Sequence, residues 1–95
     1  MEGDALLGET FKALSDKTRR DILLMLKDRD MSAGEIAQRF STTHATISHH
    51  LKMLRDTGLV SVERQGQSII YSLNTTVFQD LLTWFVNFKG QEGDL

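Results

Sequence analysis

Apolar residues recur every three or four positions through the first half of the chain, which is the period of a helix with one buried face. This spacing predicts a short first helix over residues 6–14. It predicts a second helix that Ser15 or Asp16 caps by accepting backbone N–H bonds and that ends near Asp28. The amino-terminal third of the molecule is therefore expected to be helical.

Local cap signals mark the next two helices. A Ser-x-x-Glu capping box at residues 32–35 predicts a short helix over residues 33–40, because each side chain satisfies an N–H group that the helix leaves free. After a three-residue break, a longer helix is predicted over residues 44–57, with Thr43 as its N-cap and Gly58 as its stop.

Beyond that stop the period changes from that of a helix to two, which indicates β-structure. Two strands are predicted, residues 59–64 and residues 68–73, joined by a tight turn into an antiparallel hairpin. Ile69 and Tyr71 share one face of the second strand and are expected to point inward. A last helix follows over residues 77–88, and the tail beyond it is expected to fray. The predicted order is α-α-α-α-β-β-α, mainly helical with a two-stranded antiparallel wing.

The composition is that of a single globular domain. The chain has 95 residues, of which 40% are hydrophobic and 25% charged, and it contains no cysteine. Disulfides, thiolate metal sites and thiol nucleophiles are therefore excluded. No apolar run approaches the ~20 residues of a membrane span and no export signal is present, so a cytoplasmic location is expected.

The net charge of −2 hides an uneven distribution. Residues 12–64 contain ten Lys and Arg against seven Asp and Glu, a balance of +3, whereas the flanks together carry −5. No acidic residue lies between Glu35 and Asp56. Salt screening limits electrostatic fields to ~8–10 Å, so the local sign decides whether a surface can meet phosphates. A solvated helix face with a chance gap in acids would give the same counts.

Two helices separated by a short break, the second longer and free of acids up to Asp56, indicate a helix-turn-helix. On a helical wheel Ile47, Leu51 and Leu54 form one apolar stripe. His50 lies beside that stripe, which favours packing over DNA contact. The other side is small, polar or basic, and a helix of that kind can enter the major groove of DNA. It carries His44, Ala45, Ser48 and His49, then Lys52 and Arg55 for phosphates, with Thr43 as a further phosphate donor.

The hairpin tip extends the predicted DNA surface. Arg64, Gln65 and Gln67 put one cation and two amides at the turn, which suits phosphate or minor-groove contact by a wing. An ordinary solvated turn has a similar composition, so this alternative stays open. All 95 residues are thus expected to form one winged helix-turn-helix domain.

Three segments resemble the ArsR-type bacterial repressors. Residues 13–23 (ALSDKTRRDIL) resemble the opening signature of that family, residues 46–60 its recognition helix, and residues 64–73 its wing and final strand. The carboxyl-terminal half is similar to the SdpR-like branch, whose members are autorepressors. Lys17 stands where the family often has a proline. The resemblance implies phosphate contact at Thr43 and the wing. It also implies that a second group of residues contacts the bases or the backbone of DNA, and this group is His44, Ala45, Thr46, Ser48 and His49.

Metal ligands known from this family are missing from the sequence. The stretch that would hold a Cys-x-Cys pair, residues 31–36, has no cysteine, and Asp80 is the only ionisable ligand type on the predicted last helix. The three histidines are spaced i, i+5 and i+6, so they cannot converge on one ion from one helix face. No metal and no cofactor is expected, although an unrecognised metal or effector site stays open as an alternative.

The last helix predicts a homodimer. Its apolar residues spread over about 200°, wider than the ~100° stripe that a small core needs, so a second surface should cover the rest. A two-fold dimer that joins the first and last helices of each protomer meets this need. The predicted dimerisation residues are Leu6, Leu7, Phe11, Val77, Leu81, Trp84, Phe85 and Phe88.

No group of side chains in the sequence fits a catalytic site, so the chain is not expected to be an enzyme. The predicted function is a homodimeric repressor that binds a near-palindromic operator in double-stranded DNA. A protein-interaction module that docks a partner through its carboxyl-terminal face is the alternative from another class. The resemblance also implies sequestration by a membrane protein as one route to derepression.

Overall fold

A computed structural model describes the backbone of residues 2–93 and the side chains of residues 8–87. Within this range the chain forms a winged helix-turn-helix, with a helix pair followed by a β-hairpin. The elements are α1 Glu2–Leu14, α2 Lys17–Asp28, β1 Met31–Ser32, α3 Ala33–Ala37, α4 His44–Asp56, β2 Val60–Gln65, β3 Ser68–Leu73 and α5 Thr75–Gly93.

The predicted N-caps are confirmed at three helices. Asp16 caps α2 by accepting from the N–H of Arg19. Ser32 and Glu35 form the reciprocal capping box of α3. Thr43 caps α4 through its hydroxyl. Because a cap of this kind is worth about 1 kcal/mol, the sequence sets these three starting points locally.

Gly58 ends α4 as predicted. Its φ of +81° is a left-handed conformation that glycine adopts without a side-chain clash. The N–H of Leu59 donates to Leu54 O at 3.1 Å and the N–H of Gly58 donates to Arg55 O at 3.0 Å. This pair of bonds is the Schellman arrangement, and the buried Leu54 and Leu59 supply its usual apolar contact. Both ends of α4 are therefore capped.

The prediction of a two-stranded wing is incomplete, because the sheet has three strands in the order β1-β3-β2. The two-residue β1 pairs with β3 through Met31 opposite Tyr71 and Ser32 opposite Ile70. β2 and β3 form the expected antiparallel hairpin, with Val60 opposite Leu73. A strand of two residues is too short to show a period of two, so only its pairing defines it. The element order is thus α-α-β-α-α-β-β-α.

Three helices differ from their predicted bounds by more than one residue. α3 ends at Ala37 instead of Phe40, because the N–H groups of Arg39 and Phe40 bond three residues back and tighten the chain into turns. α1 is longer than residues 6–14, since it begins at Glu2. α5 covers Thr75–Gly93, so much of the predicted frayed tail is helical.

The core lies between α2, α3, α4 and the sheet, and Tyr71 packs against it as predicted. Ile69 was expected to point inward with Tyr71, but it is exposed, because the hairpin extends beyond the core at that register. The predicted stripe of α4 is fully buried. The buried apolar residues are Ala13, Ile22, Leu23, Leu26, Met31, Ile36, Ala37, Ile47, Leu51, Leu54, Leu59 and Val60.

Candidate nucleic-acid interface

The helix α4 divides into a buried apolar side and an exposed polar side. Ile47, Leu51 and Leu54 are at most 2% exposed and anchor the helix on the core. The N-cap Thr43 and the remaining predicted contact residues are all exposed, and together we call them the polar face of α4. Its members are Thr43, His44, Ala45, Thr46, Ser48, His49, Lys52 and Arg55.

At the amino-terminal end of the polar face, two threonines interact. The Thr43 Oγ1 accepts from the N–H of Thr46 at 3.2 Å and lies 3.0 Å from the Thr46 Oγ1. The N–H groups of the first turn lack intrahelical acceptors and carry the partial positive charge of the helix dipole. This end can therefore receive an anion such as a phosphate. The Thr43 hydroxyl accepts one bond as the cap, and its proton can be donated either to a phosphate or to the Thr46 hydroxyl.

At the other end of the polar face, Lys52 forms an ion pair within the helix. Its Nζ lies 2.8 Å from the Asp56 Oδ2, one turn further on. The hydrogen bond from Lys52 is the main cause that lowers the pKa of Asp56, and the charge of Arg55 lowers it further. Asp56 is therefore ionised at neutral pH. A phosphate that contacts Lys52 competes with this carboxylate.

The hairpin tip carries the other three predicted residues. Gly66, with a φ of +64°, allows the two-residue turn. The Arg64 Nε donates weakly to Gly66 O at 3.4 Å, so its guanidinium curls over the turn. Gln65 and Gln67 flank the same turn and are exposed. One cation and two amides thus stand at the end of the wing, as the sequence predicts.

His50 packs within the protein, in agreement with its place beside the apolar stripe. Its side chain is 13% exposed, and its Nδ1 lies 3.2 Å from an Arg19 Nη1 and 3.9 Å from an Asp16 carboxylate oxygen. Burial is the largest cause that lowers the pKa of His50, and Arg19 and His49 lower it further while Asp16 opposes them. Arg19, which reasoning from sequence missed, is itself buried. The only signal for it in the sequence is a pair of adjacent arginines in the first turn of α2.

The second predicted surface lies where α1 meets α5. Phe11 makes edge contacts with Trp84 and with Phe85, each at 5.9 Å between ring centroids, and the two α5 rings are 5.0 Å apart. These rings remain substantially exposed, and further exposed aliphatic residues accompany them on α5. We call this set the terminal apolar surface, and it consists of Phe11, Leu82, Trp84, Phe85 and Val86.

Other predicted dimerisation residues have different surroundings. Val77 and Leu81 are partly buried and pack against the core of their own chain. The side chains of Leu6, Leu7 and Phe88 lie outside the described residues. Leu82 and Val86 are not among the predicted interface residues, although both lie within the broad apolar arc of the helix.

The described part of the chain shows neither a membrane span nor a cluster of metal ligands. Residues 2–93 contain no helix that is long and apolar enough to cross a membrane. Among the described residues there is no group of three or more His, Cys, Asp or Glu side chains that could hold a metal ion.

Comparison with known proteins agrees with this geometry. A family model described as a helix-turn-helix domain matches residues 14–63. The transcriptional repressor SdpR of Bacillus subtilis is 51% identical over 82 residues, which cover 86% of this chain and 91% of SdpR. The solved structure of an ArsR-like transcriptional regulator from Rhodococcus superposes with a TM-score of 0.88 at 29% identity. The superposed region covers 98% of this chain and 88% of the Rhodococcus chain. The chain belongs to the ArsR-type helix-turn-helix transcriptional regulators.

Membership of the ArsR-type family makes the chain a DNA-binding transcriptional regulator and not an enzyme. A further member, the transcriptional activator HlyU of Vibrio cholerae, is 37% identical over 65 residues, or 68% of this chain and 60% of HlyU. Relatives of this chain thus include a named repressor and a named activator. Because the chain has the fold of the family, α4 corresponds to the second helix of the family's helix-turn-helix and the hairpin corresponds to its wing.

Proposed function

We propose that this chain is an operator-binding repressor that acts as a homodimer on a near-palindromic site and needs no metal ion. The observation that carries the proposal is the polar face of α4, which is exposed along its whole length and opposite a fully buried stripe. The similarity to SdpR, which is named a transcriptional repressor, supports repression as the outcome. Regulation of its own gene is proposed from the resemblance of the chain to the SdpR-like autorepressors. Such a protein acts in the cytoplasm, where bacterial DNA lies.

The chemistry of the polar face divides it into two parts. His44, Ala45, Ser48 and His49 are small or imidazole side chains near the helix start, which allow close approach to base edges in the major groove. Thr46 joins them on the strength of the family resemblance. Lys52 and Arg55 near the helix end, with Thr43 at the start, contact phosphates. Contacts to phosphate position the helix, and contacts to bases specify the sequence.

The wing adds contacts outside the major groove. Arg64 is the cation at the tip, and Gln65 and Gln67 are amides that can donate to phosphate or sugar oxygens or enter the minor groove. Their exposure supports this role. Repression then follows from occupancy, because a dimer bound at two half-sites excludes polymerase from the promoter.

The terminal apolar surface supports the homodimer. A monomer of 95 residues would leave this patch of aromatic and aliphatic side chains in water. A two-fold interface that includes Phe11, Trp84 and Phe85 covers it with an identical patch. The two copies of α4 then read half-sites about one helical turn, ~34 Å, apart. Leu6, Leu7, Val77, Leu81 and Phe88 complete the proposed interface.

Selection of bound fragments from random duplexes by the purified protein, followed by sequencing, tests the proposal. We expect an inverted repeat with half-sites about ten base pairs apart, and equal enrichment with and without a chelator. The absence of any enriched sequence contradicts the proposal. Recovery of a single half-site retains DNA binding but contradicts the dimer, and a requirement for added metal contradicts the metal-free mechanism.

The salt dependence of binding separates an operator-binding protein from a protein-interaction module. Several phosphate contacts release counterions, so the affinity for DNA should fall steeply as salt rises. A shallow slope would favour the module that docks a protein partner. Transcription in vitro from the selected promoter then distinguishes repression from activation, which matters because HlyU is named an activator.

A further inference from the structure

Arg19 is a buried charge held between three helices. Although its residue is only 7% exposed, four contacts satisfy the guanidinium. Two of them go to the end of α1, where Nε donates to Ala13 O at 2.6 Å and Nη2 donates to Lys12 O at 3.1 Å. These carbonyls lie in the last turn of α1, where the helix leaves carbonyl groups without intrahelical donors, and the Lys12 O also accepts from the N–H and the hydroxyl of Ser15. A cation also suits the negative end of the helix dipole.

The other two contacts of Arg19 go to α4. Its Nη1 donates to the His50 Nδ1 at 3.2 Å and to the Met53 Sδ at 3.2 Å. These two side chains are three residues apart, on the side of α4 that faces α1 and α2. One guanidinium therefore donates hydrogen bonds both to the end of α1 and to the middle of α4, and so links the two helices. Asp16, whose carboxylate accepts the N–H of Arg19, lies on the same side of His50.

This link joins the two parts of the molecule that a dimeric repressor must hold in register. α1 contributes Phe11 to the terminal apolar surface, and α4 carries the polar face. In a two-fold dimer built on α1 and α5, the angle between α1 and α4 sets the separation of the two copies of α4. Half-site spacing in an operator is a direct consequence of that separation.

We propose that Arg19 and His50 are positioning residues that hold α4 at a fixed angle to α1 and thereby select operators by half-site spacing. This inference rests on the dimeric operator-binding function proposed for the chain. It assigns no base contact to either residue. It predicts that loss of the link weakens discrimination between spacings, whereas binding to an isolated half-site is unchanged.

The protonation state of His50 provides a second way to test the link between Arg19 and His50. A guanidinium has donors only, so Nδ1 can accept from Arg19 only while it carries no proton. The charged or titratable groups that face the ring are Arg19 and Asp16 from the α1–α2 side and His49 on its own helix. Burial lowers the pKa of His50, so the ring is neutral at neutral pH. Acidification protonates it, places two cations side by side and breaks the link.

Two variants of His50 separate the positioning role from simple packing. His50→Asn places its amide oxygen close to the position of Nδ1 and keeps the acceptor for Arg19, whereas His50→Ala removes the acceptor. Both leave the Arg19 bonds to α1 in place, so both are expected to fold, and circular dichroism verifies this. Arg19→Ala is less suitable, because it also removes both bonds to α1, including the donor to Ala13 O.

The affinity of each protein is measured for the selected operator, for operators with one base pair added or removed between half-sites, and for one half-site alone. We expect His50→Ala to reduce the preference for the native spacing by about tenfold, the usual worth of a hydrogen bond to a charged group. His50→Asn should retain most of that preference. Affinity for the single half-site should stay within about twofold of wild type in both, because the polar face is intact.

Unchanged spacing preference in folded His50→Ala overturns the inference and leaves the operator-binding function standing. Failure of wild type to select any operator overturns the proposed function itself. As a second readout, the wild-type spacing preference should fall as the pH is lowered from neutral to below the usual pKa of histidine, because burial lowers the pKa of His50, while the preference of His50→Asn stays constant. His44 and His49 are present in both proteins, so the comparison isolates the change at His50. Parallel pH profiles would also contradict the inference.

Discussion

The polar face of α4 and the terminal apolar surface are both helix surfaces left outside the core, yet they differ in chemistry. α4 buries a narrow stripe completely, and apart from Asp56 in its last turn it exposes small, polar, imidazole and basic side chains. α5 buries little, and beyond its partly buried first turns it exposes aliphatic and aromatic side chains. A helix face that does not pack in the core can contact a partner, and the composition of that face indicates which kind of partner it binds.

The two faces therefore call for different partners. A hydrated, cationic face with the positive end of a helix dipole suits the phosphates and base edges of DNA. Burial of an exposed aromatic cluster away from water is favourable in free energy, so such a cluster favours contact with a second protein surface. In this molecule the two faces lie on different helices, and Arg19 connects α4 to α1. The predictions test whether each face serves its own partner.

The largest effect is expected from a charge in the terminal apolar surface. Phe85→Glu places a carboxylate among rings that a dimer would bury, so the dimer should dissociate. Because binding of one half-site would no longer assist the other, operator affinity should fall by at least about a hundredfold. Sedimentation and operator titration measure both effects. Thr83→Glu, on the exposed polar side of α5, is the control with the same added charge. A Phe85→Glu protein that stays dimeric would remove this surface from the interface.

A smaller and more local effect is expected on the polar face. His49→Ala should cost about 1–3 kcal/mol of operator affinity and blur the preference at one base pair, if the imidazole reads a base edge. Titration against operators that differ at single positions measures this. Equal loss on every operator variant would instead assign His49 to a phosphate. The oligomeric state should not change, since His49 lies away from α1 and α5.

The sequence predicts α4 well because its signals are local. Thr43 and Gly58 mark its ends within a residue, and the period of Ile47, Leu51 and Leu54 marks its buried side. The same signals predict which residues form the polar face. Their contacts with DNA remain a prediction, because exposure alone does not assign a partner.

Features that depend on distant parts of the chain escape sequence reasoning. The strand β1 exists only because Met31 and Ser32 lie beside β3. Ile69 is apolar and in the right register, but the hairpin carries it past the edge of the core. Arg19 contacts groups on α1 and α4, and His50 is 31 residues away in the sequence. No local pattern predicts such a meeting.

The wing should contribute less than the polar face, and without sequence preference. Arg64→Ala should weaken binding to all duplexes alike and reduce the slope of log affinity against log salt by about one unit, the share of one phosphate contact. Gln65→Ala, at the same tip but uncharged, should leave the slope unchanged. If Arg64→Ala also leaves it unchanged, the tip does not meet phosphate and the DNA surface is confined to α4.

The smallest effect, and one of opposite sign, is expected from Asp56→Asn. The ion pair of Lys52 with Asp56 is exposed and screened by solvent, so its loss should hardly change the melting temperature. Loss of the carboxylate frees Lys52 for phosphate and removes a repulsive charge. Operator affinity should therefore rise, by about two- to fivefold at low salt, with a steeper salt slope.

Asp21→Asn is the matched control for this variant. Asp21 pairs with Lys17 at the same 2.8 Å and the same i,i+4 spacing, but on α2 and away from the polar face. If both variants raise the affinity equally, the gain comes from overall charge and says nothing about Lys52. If neither does, Lys52 does not reach the DNA backbone. A gain in affinity confined to Asp56→Asn places a phosphate at the carboxyl-terminal end of α4. The terminal apolar surface, which carries no charged side chain, could not hold a phosphate in this way.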